Sequence, residues 1–232
     1  MKAIILAAGR GERMRPLSDR TPKPLLEVRD KPLIVWHLEA LAREGVVDVV
    51  VNTAWLEETI VDALGDGSRW GVRIAYSREG RDHGGALETA GGIAKALPFL
   101  GDAFWVVSAD VWAPDFRFSQ SRAAAFAASG RLGRLWLVPN PSFHPQGDFG
   151  IGVDGLGLAE GAGPDGQRWT YANIALLRSE MFAGIAPGTH ARLAPLLYAG
   201  MRERRIGAEI YRGRWENVGT PEQLAALAEP PH

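Results

Sequence analysis

The 232 residues carry 26 Lys and Arg against 27 Asp and Glu, a net charge of −1, with 46% hydrophobic residues. That length suits one large α/β domain or two small ones, and the near-neutral balance excludes a global field drawing the chain to nucleic acid or anionic lipid. With no cysteine, disulfides and thiolate metal sites are excluded, and a cytoplasmic home is the expectation.

Residues 2–7 are apolar on both faces, as a buried parallel strand is. Gly9-Arg10-Gly11-Glu12-Arg13 interrupts this run too early for a signal peptide or membrane span. Residues 8–24 read as a long Gly/Pro/Arg loop. Pro32 suits a first helical turn, and Ile34, Leu38 and Leu41 recur at helical spacing until Gly45. Residues 46–51 predict a second strand, Leu56, Ile60 and Leu64 a helix, and Val72, Ile74 and Tyr76 a strand. Ile93, Ala94 and Leu97 then mark a helix, and residues 104–107 a buried strand ending at Ser108-Ala109-Asp110. Ser119 caps an alanine-rich helix that stops at Gly130, and residues 135–138 form another strand. Residues 139–170 change to Gly, Pro and Asp, read as loops and a small hairpin on the substrate side of a single domain spanning 1–232. A strand over 171–177, a helix through Leu193, Leu196, Leu197 and Met201, and a strand over 209–211 follow. A last helix is capped by Thr220 with Pro221 at its first position, and Pro230-Pro231 ends the chain. This alternation predicts an α/β fold with a mainly parallel central sheet and helices on both faces.

Open α/β sheets bind ligands beyond the carboxyl ends of their strands, which directs attention to the first loop. Residues 9–24 hold five cations (Arg10, Arg13, Arg15, Arg20, Lys23) against Glu12 and Asp19. Gly9 and Gly11 let backbone amides converge into an anion nest. Arginine forks onto phosphate oxygens and lysine adds a point charge, so the loop reads as a polyphosphate grip. Met14 stands where a dinucleotide fingerprint needs its third glycine, and no P-loop Gly-Lys-Ser/Thr is present. Asp110, ending a buried strand at the ligand edge, reads as a ligand for the Mg²⁺ of a nucleoside triphosphate.

Leu6-Ala7-Ala8-Gly9-Arg10-Gly11-Glu12-Arg13-Met14-Arg15-Pro16-Leu17, followed by Thr21-Pro22-Lys23-Pro24-Leu25, resembles the signature of the sugar-1-phosphate nucleotidyltransferases. Ala54-Trp55-Leu56, Leu64-Gly65-Asp66-Gly67-Ser68-Arg69, Leu87-Glu88-Thr89-Ala90-Gly91-Gly92, Asp110-Val111-Trp112, Gly147-Asp148-Phe149 and Leu193-Ala194-Pro195-Leu196-Leu197 extend the likeness over nearly the whole chain. They resemble the branch of the family that uses UTP and N-acetylmuramate 1-phosphate in peptidoglycan recycling. The resemblance implies a Rossmann-like nucleotidyltransferase fold, Mg²⁺ as cofactor, a nucleoside triphosphate and a sugar 1-phosphate as partners, and no nucleic acid or membrane. It implies that Ala8, Gly9, Gly11, Glu12, Arg13, Ser77, Glu88 and Thr89 contact the nucleotide and that Lys23 bridges the phosphates of both substrates. Ser108, Gly147, Asp148 and Asn173 would contact the sugar phosphate, and Asp110 with Asn217 would hold the metal.

Four departures from the family pattern stand out, the first at the metal site and the other three around the expected base and sugar pockets. Asn217 stands in Trp215-Glu216-Asn217-Val218-Gly219-Thr220 where the family has a metal-binding aspartate. Ser108 replaces an asparagine, Asn173 a frequent glycine, and residues 80–86 look inserted. They leave open GTP with mannose or heptose 1-phosphate, dTTP or CTP with glucose 1-phosphate, Glu216 assisting the metal, and a non-catalytic sugar-nucleotide regulator. The attacking phosphate oxygen is already anionic, so no general base is expected. His37, His83 and His144 read as structural or surface groups, while Trp55 and Trp112, at strand ends, are candidates to stack on a base or sugar.

Overall fold

The computed structural model describes residues 1–228, so Pro230-Pro231 lies outside the described residues. Seven strands form one sheet: β1 (Lys2–Leu6), β2 (Asp48–Thr53), β3 (Arg73–Arg78), β4 (Ala103–Ser108), β5 (Gly133–Val138), β6 (Thr170–Arg178) and β7 (Ile206–Ile210). Their spatial order is β7-β5-β6-β4-β1-β2-β3. Neighbours run parallel except at β6, which is antiparallel to both β4 and β5. The helices are α1 (Leu33–Arg43), α2 (Glu57–Leu64), α3 (Glu79–His83), α4 (Glu88–Ala96), α5 (Gln120–Ala128), α6 (Leu193–Arg202) and α7 (Pro221–Ala228). This is the mixed α/β architecture the alternation implies, and no described helix is long and apolar enough to cross a membrane.

The doubly apolar strands are explained by the pleat. Successive side chains leave opposite faces, so Ala3 and Ile5 of β1 enter one core cluster while Ile4 enters the other. Val49 and Val51 of β2 and Trp105 and Val107 of β4 follow the first, Val50, Phe104 and Val106 the second. Trp105, Trp136, Phe116 and Phe118 interlock with ring centroids 5.0–6.1 Å apart, and with Trp112 and Trp169 four of the eight tryptophans are buried in the core.

Ser119 Oγ accepts from the Arg122 amide at 3.4 Å, and Thr220 Oγ1 from that of Gln223 at 3.3 Å, the two caps expected. β2 starts two residues later than the apolar run because the Val46 amide closes α1 on the Leu41 carbonyl at 2.9 Å. β7 begins at Ile206, earlier than its apolar end suggests, paired with β5 from Gly133 onward. Within 139–170, Gly150–Ile151 pairs antiparallel with Gly157–Leu158. Val111–Trp112 pairs antiparallel with Glu216–Asn217, beside the end of β4.

His37 is buried under that ribbon, its Nε2 hydrogen-bonded to the Val111 carbonyl at 2.7 Å. Burial pushes its pKa from 6.5 down to about 4, against smaller opposing contributions from hydrogen bonding and Asp110. Between those values the unfolded chain binds the proton and the native one does not, so stability falls as pH drops through the window. The lowering corresponds to about 3 kcal/mol. Urea unfolding should show the stability gap between wild type and His37→Asn shrinking by about that much from pH 7 to pH 4. A gap that does not change with pH would contradict a neutral, buried His37.

Candidate active site

At the carboxyl ends of β1 and β4 two clefts adjoin, of about 750 and 610 Å³, each large enough for a small ligand. The first is walled by the loop after β1 (Ala8, Gly9, Gly11, Glu12, Arg13, Lys23), the start of α4 (Glu88, Thr89), and Ser108 and Asp110. The second takes Asp148, Tyr171, Asn173, Arg192, Trp215 and Asn217 from the other half of the chain. Arg13, Glu88, Thr89 and Ser108 line both, so the clefts are continuous.

Lys23 and Asp110, 87 residues apart, meet in the first cleft with Nζ to Oδ2 at 2.7 Å, and Ser108 Oγ donates to Asp110 Oδ1 at 2.6 Å. Burial opposes ionisation of Asp110, but the Lys23 charge and the hydrogen bonds from Lys23 and Ser108 outweigh it and hold its pKa below the ordinary value. Antiparallel pairing sets Asn217 opposite Val111, and the Val218 amide bonds the Asp110 carbonyl at 2.8 Å, so both expected metal ligands share one ribbon. Asn217 Oδ1 is buried without a hydrogen-bond partner among the described residues. A buried acceptor is rarely left unpaired. A carboxylate and an orphaned amide oxygen are hard donors that suit Mg²⁺, which completes its shell with phosphate oxygens and water.

One part of the cleft escaped the sequence reading. The Ala7 amide donates to Asn52 Oδ1 at 2.7 Å, Asn52 Nδ2 to Glu79 Oε1 at 2.6 Å, and the Leu87 amide to Glu79 Oε2 at 2.7 Å. This buried chain ties the end of β1 to the start of α4. Burial raises the Glu79 pKa, and the hydrogen bonds from Leu87 and Asn52 oppose that shift. Asn52 and Glu79 line the first cleft with His190. The available signal was a polar residue closing an apolar strand at the ligand edge.

Several expected roles resolve differently. Ser77 is buried in β3 and Gly147 sits in a turn; neither is on a wall of either cleft. Gly147 has φ +62°, and a Cβ there would come within 2.7 Å of Asn140 Oδ1 and 2.9 Å of the Trp169 amide, so its need is conformational. Of the five loop cations only Arg13 and Lys23 reach the clefts. Arg10 lies over the Trp55 ring at 3.9 Å and Arg15 pairs with Asp19 at 2.8 Å. Trp55, which also donates to the Ser18 carbonyl at 2.9 Å, braces the loop, and Trp112 is packed edge-on against Trp36 in the core. Residues 80–83 of the apparent insertion lie in helix α3, anchored by Lys95 to Asp82 at 2.6 Å and the Arg81 amide to Glu57 at 3.1 Å.

Asp148 and Asn173 do line the second cleft. Both Asp148 oxygens are engaged, Oδ2 by the Tyr171 amide at 2.8 Å and Oδ1 by His144 at 3.0 Å, so His144 belongs to the cleft wall rather than to a bare surface. Asn173 has φ +56°, the left-handed region open to asparagine as to glycine, and marks a register shift in β6.

The nucleotidyl transferase family profile matches residues 2–151. The chain is similar to the N-acetylmuramate alpha-1-phosphate uridylyltransferase of Neisseria meningitidis serogroup B, with 50% identity over 95% of this chain and 94% of the relative. It is also similar to the enzyme of the same name from Caulobacter vibrioides, with 32% identity over 97% and 95%. A solved structure, a putative glucose-1-phosphate thymidylyltransferase from Bacillus anthracis, superposes with a TM-score of 0.81 at 20% identity, covering 98% of this chain and 94% of its own, which speaks to the fold alone. With its sheet, its glycine- and arginine-bearing first loop and this profile in agreement, the chain belongs to the nucleotidyl transferase family.

Proposed function

We propose that the chain transfers the uridylyl group of UTP to the phosphate of N-acetylmuramate 1-phosphate, releasing pyrophosphate, and that it does so in the cytoplasm within peptidoglycan recycling. The observation that carries the reading is the pair of continuous clefts, with Lys23 and Asp110 in one, Asn217 in the other and Arg13 on the shared wall. The relative from Neisseria meningitidis supports the choice of UTP and the amino sugar acid.

The sugar phosphate oxygen forms the new bond to the α-phosphorus while the bond from that phosphorus to the bridging oxygen breaks, and the electron pair leaves on pyrophosphate. No proton moves, so Asp110, ionised and paired, has no call to act as a base. Lys23 spends one of its three N–H donors on Asp110, leaving two for phosphate oxygens. Arg13 is placed to neutralise phosphate charge arriving from either cleft. Catalysis on this account is alignment plus electrostatic preorganisation. Asp110 and Asn217 would hold Mg²⁺, which supplies charge neutralisation on the phosphates when bound. The expected nucleotide contacts Ala8, Gly9, Gly11, Glu12, Glu88 and Thr89 all line the first cleft, and Ser108, Asp148 and Asn173 line the second.

The test is pyrophosphate release from each nucleoside triphosphate with N-acetylmuramate 1-phosphate, with and without Mg²⁺. Release confined to UTP and dependent on Mg²⁺ is expected. Asn217→Asp should lower the Mg²⁺ concentration for half-maximal rate by about tenfold, since a second carboxylate adds charge at the ion. Silence with every nucleotide while sugar nucleotides still bind would favour a regulator, and a large loss in Asn217→Asp would sink the metal-ligand role.

A further inference from the structure

The second cleft holds one cation that the fold leaves unspent. Two arginines, Arg13 and Arg192, line it, against Glu88 and Asp148. Asp148 is spent on the Tyr171 amide and on His144, and Arg13 stands on the wall where the phosphates meet. Arg192 has no such duty. Its guanidinium makes no hydrogen bond to the described residues, and its nearest anion, Glu88, lies at 3.9 Å from Nε, outside hydrogen-bond reach, with the Arg192 side chain 79% exposed.

The backbone that carries it is nonetheless fixed. The Ala191 carbonyl accepts from the amides of Ala90 at 2.9 Å and Gly91 at 3.1 Å, and the Ala191 amide donates to the Leu87 carbonyl at 3.1 Å. Arg192 is the next residue, at the cap position of α6. An arginine whose donors are all unspent is thus held at the rim of the sugar cleft by main-chain bonds.

We propose that Arg192 receives the carboxylate of the substrate's lactyl ether as a two-pronged salt bridge, and so sets specificity for the acidic sugar; this rests on the N-acetylmuramate reading above. N-acetylmuramate 1-phosphate differs from N-acetylglucosamine 1-phosphate by that ether alone. The added group is a planar carboxylate, the shape the guanidinium fork matches with two parallel N–H donors. Glu88 supplies a weak resting partner that the incoming carboxylate replaces, and its like charge disfavours any carboxylate that fails to engage Arg192.

Dissociation constants of the two sugar phosphates, measured by calorimetry on wild type and Arg192→Ala with and without Mg²⁺ and a non-reactive UTP analogue, test this. Wild type should bind the acidic sugar at least about tenfold more tightly, and Arg192→Ala should bring the ratio within about twofold of one. In turnover the loss should fall on KM for the acidic sugar rather than on kcat. A variant that keeps the wild-type ratio would overturn the assignment while leaving the uridylyltransferase reading intact. Wild type that binds both sugars alike would overturn the assignment and remove the support it takes from that reading. Exposure of the side chain means that Arg192→Ala removes no core packing.

Discussion

Lys23→Ala is expected to lower kcat/KM by about 10²–10³-fold, the range for losing one preorganised charge at a reacting phosphate. Two effects combine. The Lys23 ammonium is 2.7 Å from Asp110 and faces the cleft, so its removal takes a cation from the phosphates directly. It also strips the carboxylate of the charge that offsets burial, so the Asp110 pKa should rise. Asp110 stays ionised in wild type well below neutrality, and stability gained from that ionisation is lost as pH falls through its lowered value. In the variant that contribution is absent. The cost in stability should be about 1–3 kcal/mol, less than for a fully buried pair because the Asp110 side chain is 28% exposed. Lys23→Met separates charge from packing, since it keeps a stem beside Gly11, where a Cβ would meet the Lys23 Cβ at 3.2 Å. Pyrophosphate release and urea unfolding on both variants check the claim. A methionine variant with the wild-type rate would refute the electrostatic role.

How much of this was legible depended on whether a feature is local. The strands of the sheet were visible because a doubly covered strand must be apolar on both faces, and β1, β2 and β4 obey that. Helix α3 was not, because Glu79-Gly80-Arg81-Asp82-His83 has no apolar period; distant partners such as Asn52 and Glu57 hold it in place. The charges of the loop after β1 point to a phosphate grip, but charge carries no direction. Whether Arg13 faces the cleft while Arg10 covers Trp55 is decided by the fold. Lys23 and Asp110 were each identified alone, and only the sheet brings them to 2.7 Å. Asn173 looked like a departure from glycine until its φ of +56° showed a conformation both residues tolerate.

Gly91→Ala should damage the site from a distance, by prising the segment before α6 off the start of α4. A Cβ on Gly91 would run into the Thr189 carbonyl oxygen, with the Leu87 Cβ at 3.0 Å and the Ala191 amide at 3.2 Å. Two of these obstacles are backbone, so they do not yield by rotating a side chain. That segment puts His190 on the first cleft and Arg192 on the second, and it is held by the same amides the new methyl would displace. Overpacking of this kind costs about 1–3 kcal/mol, and the displaced segment should raise KM for both substrates by about tenfold, since shifts of an ångström are costly at a site that works by alignment. Gly101→Ala is the control: a Cβ there meets nothing within 4 Å and its φ needs no glycine. Steady-state kinetics in each substrate, with thermal unfolding alongside, read the outcome. If Gly91→Ala loses stability but keeps both KM values, the segment merely covers α4, and the clefts owe their shape to the loop after β1 and to the Asn52–Glu79 chain instead.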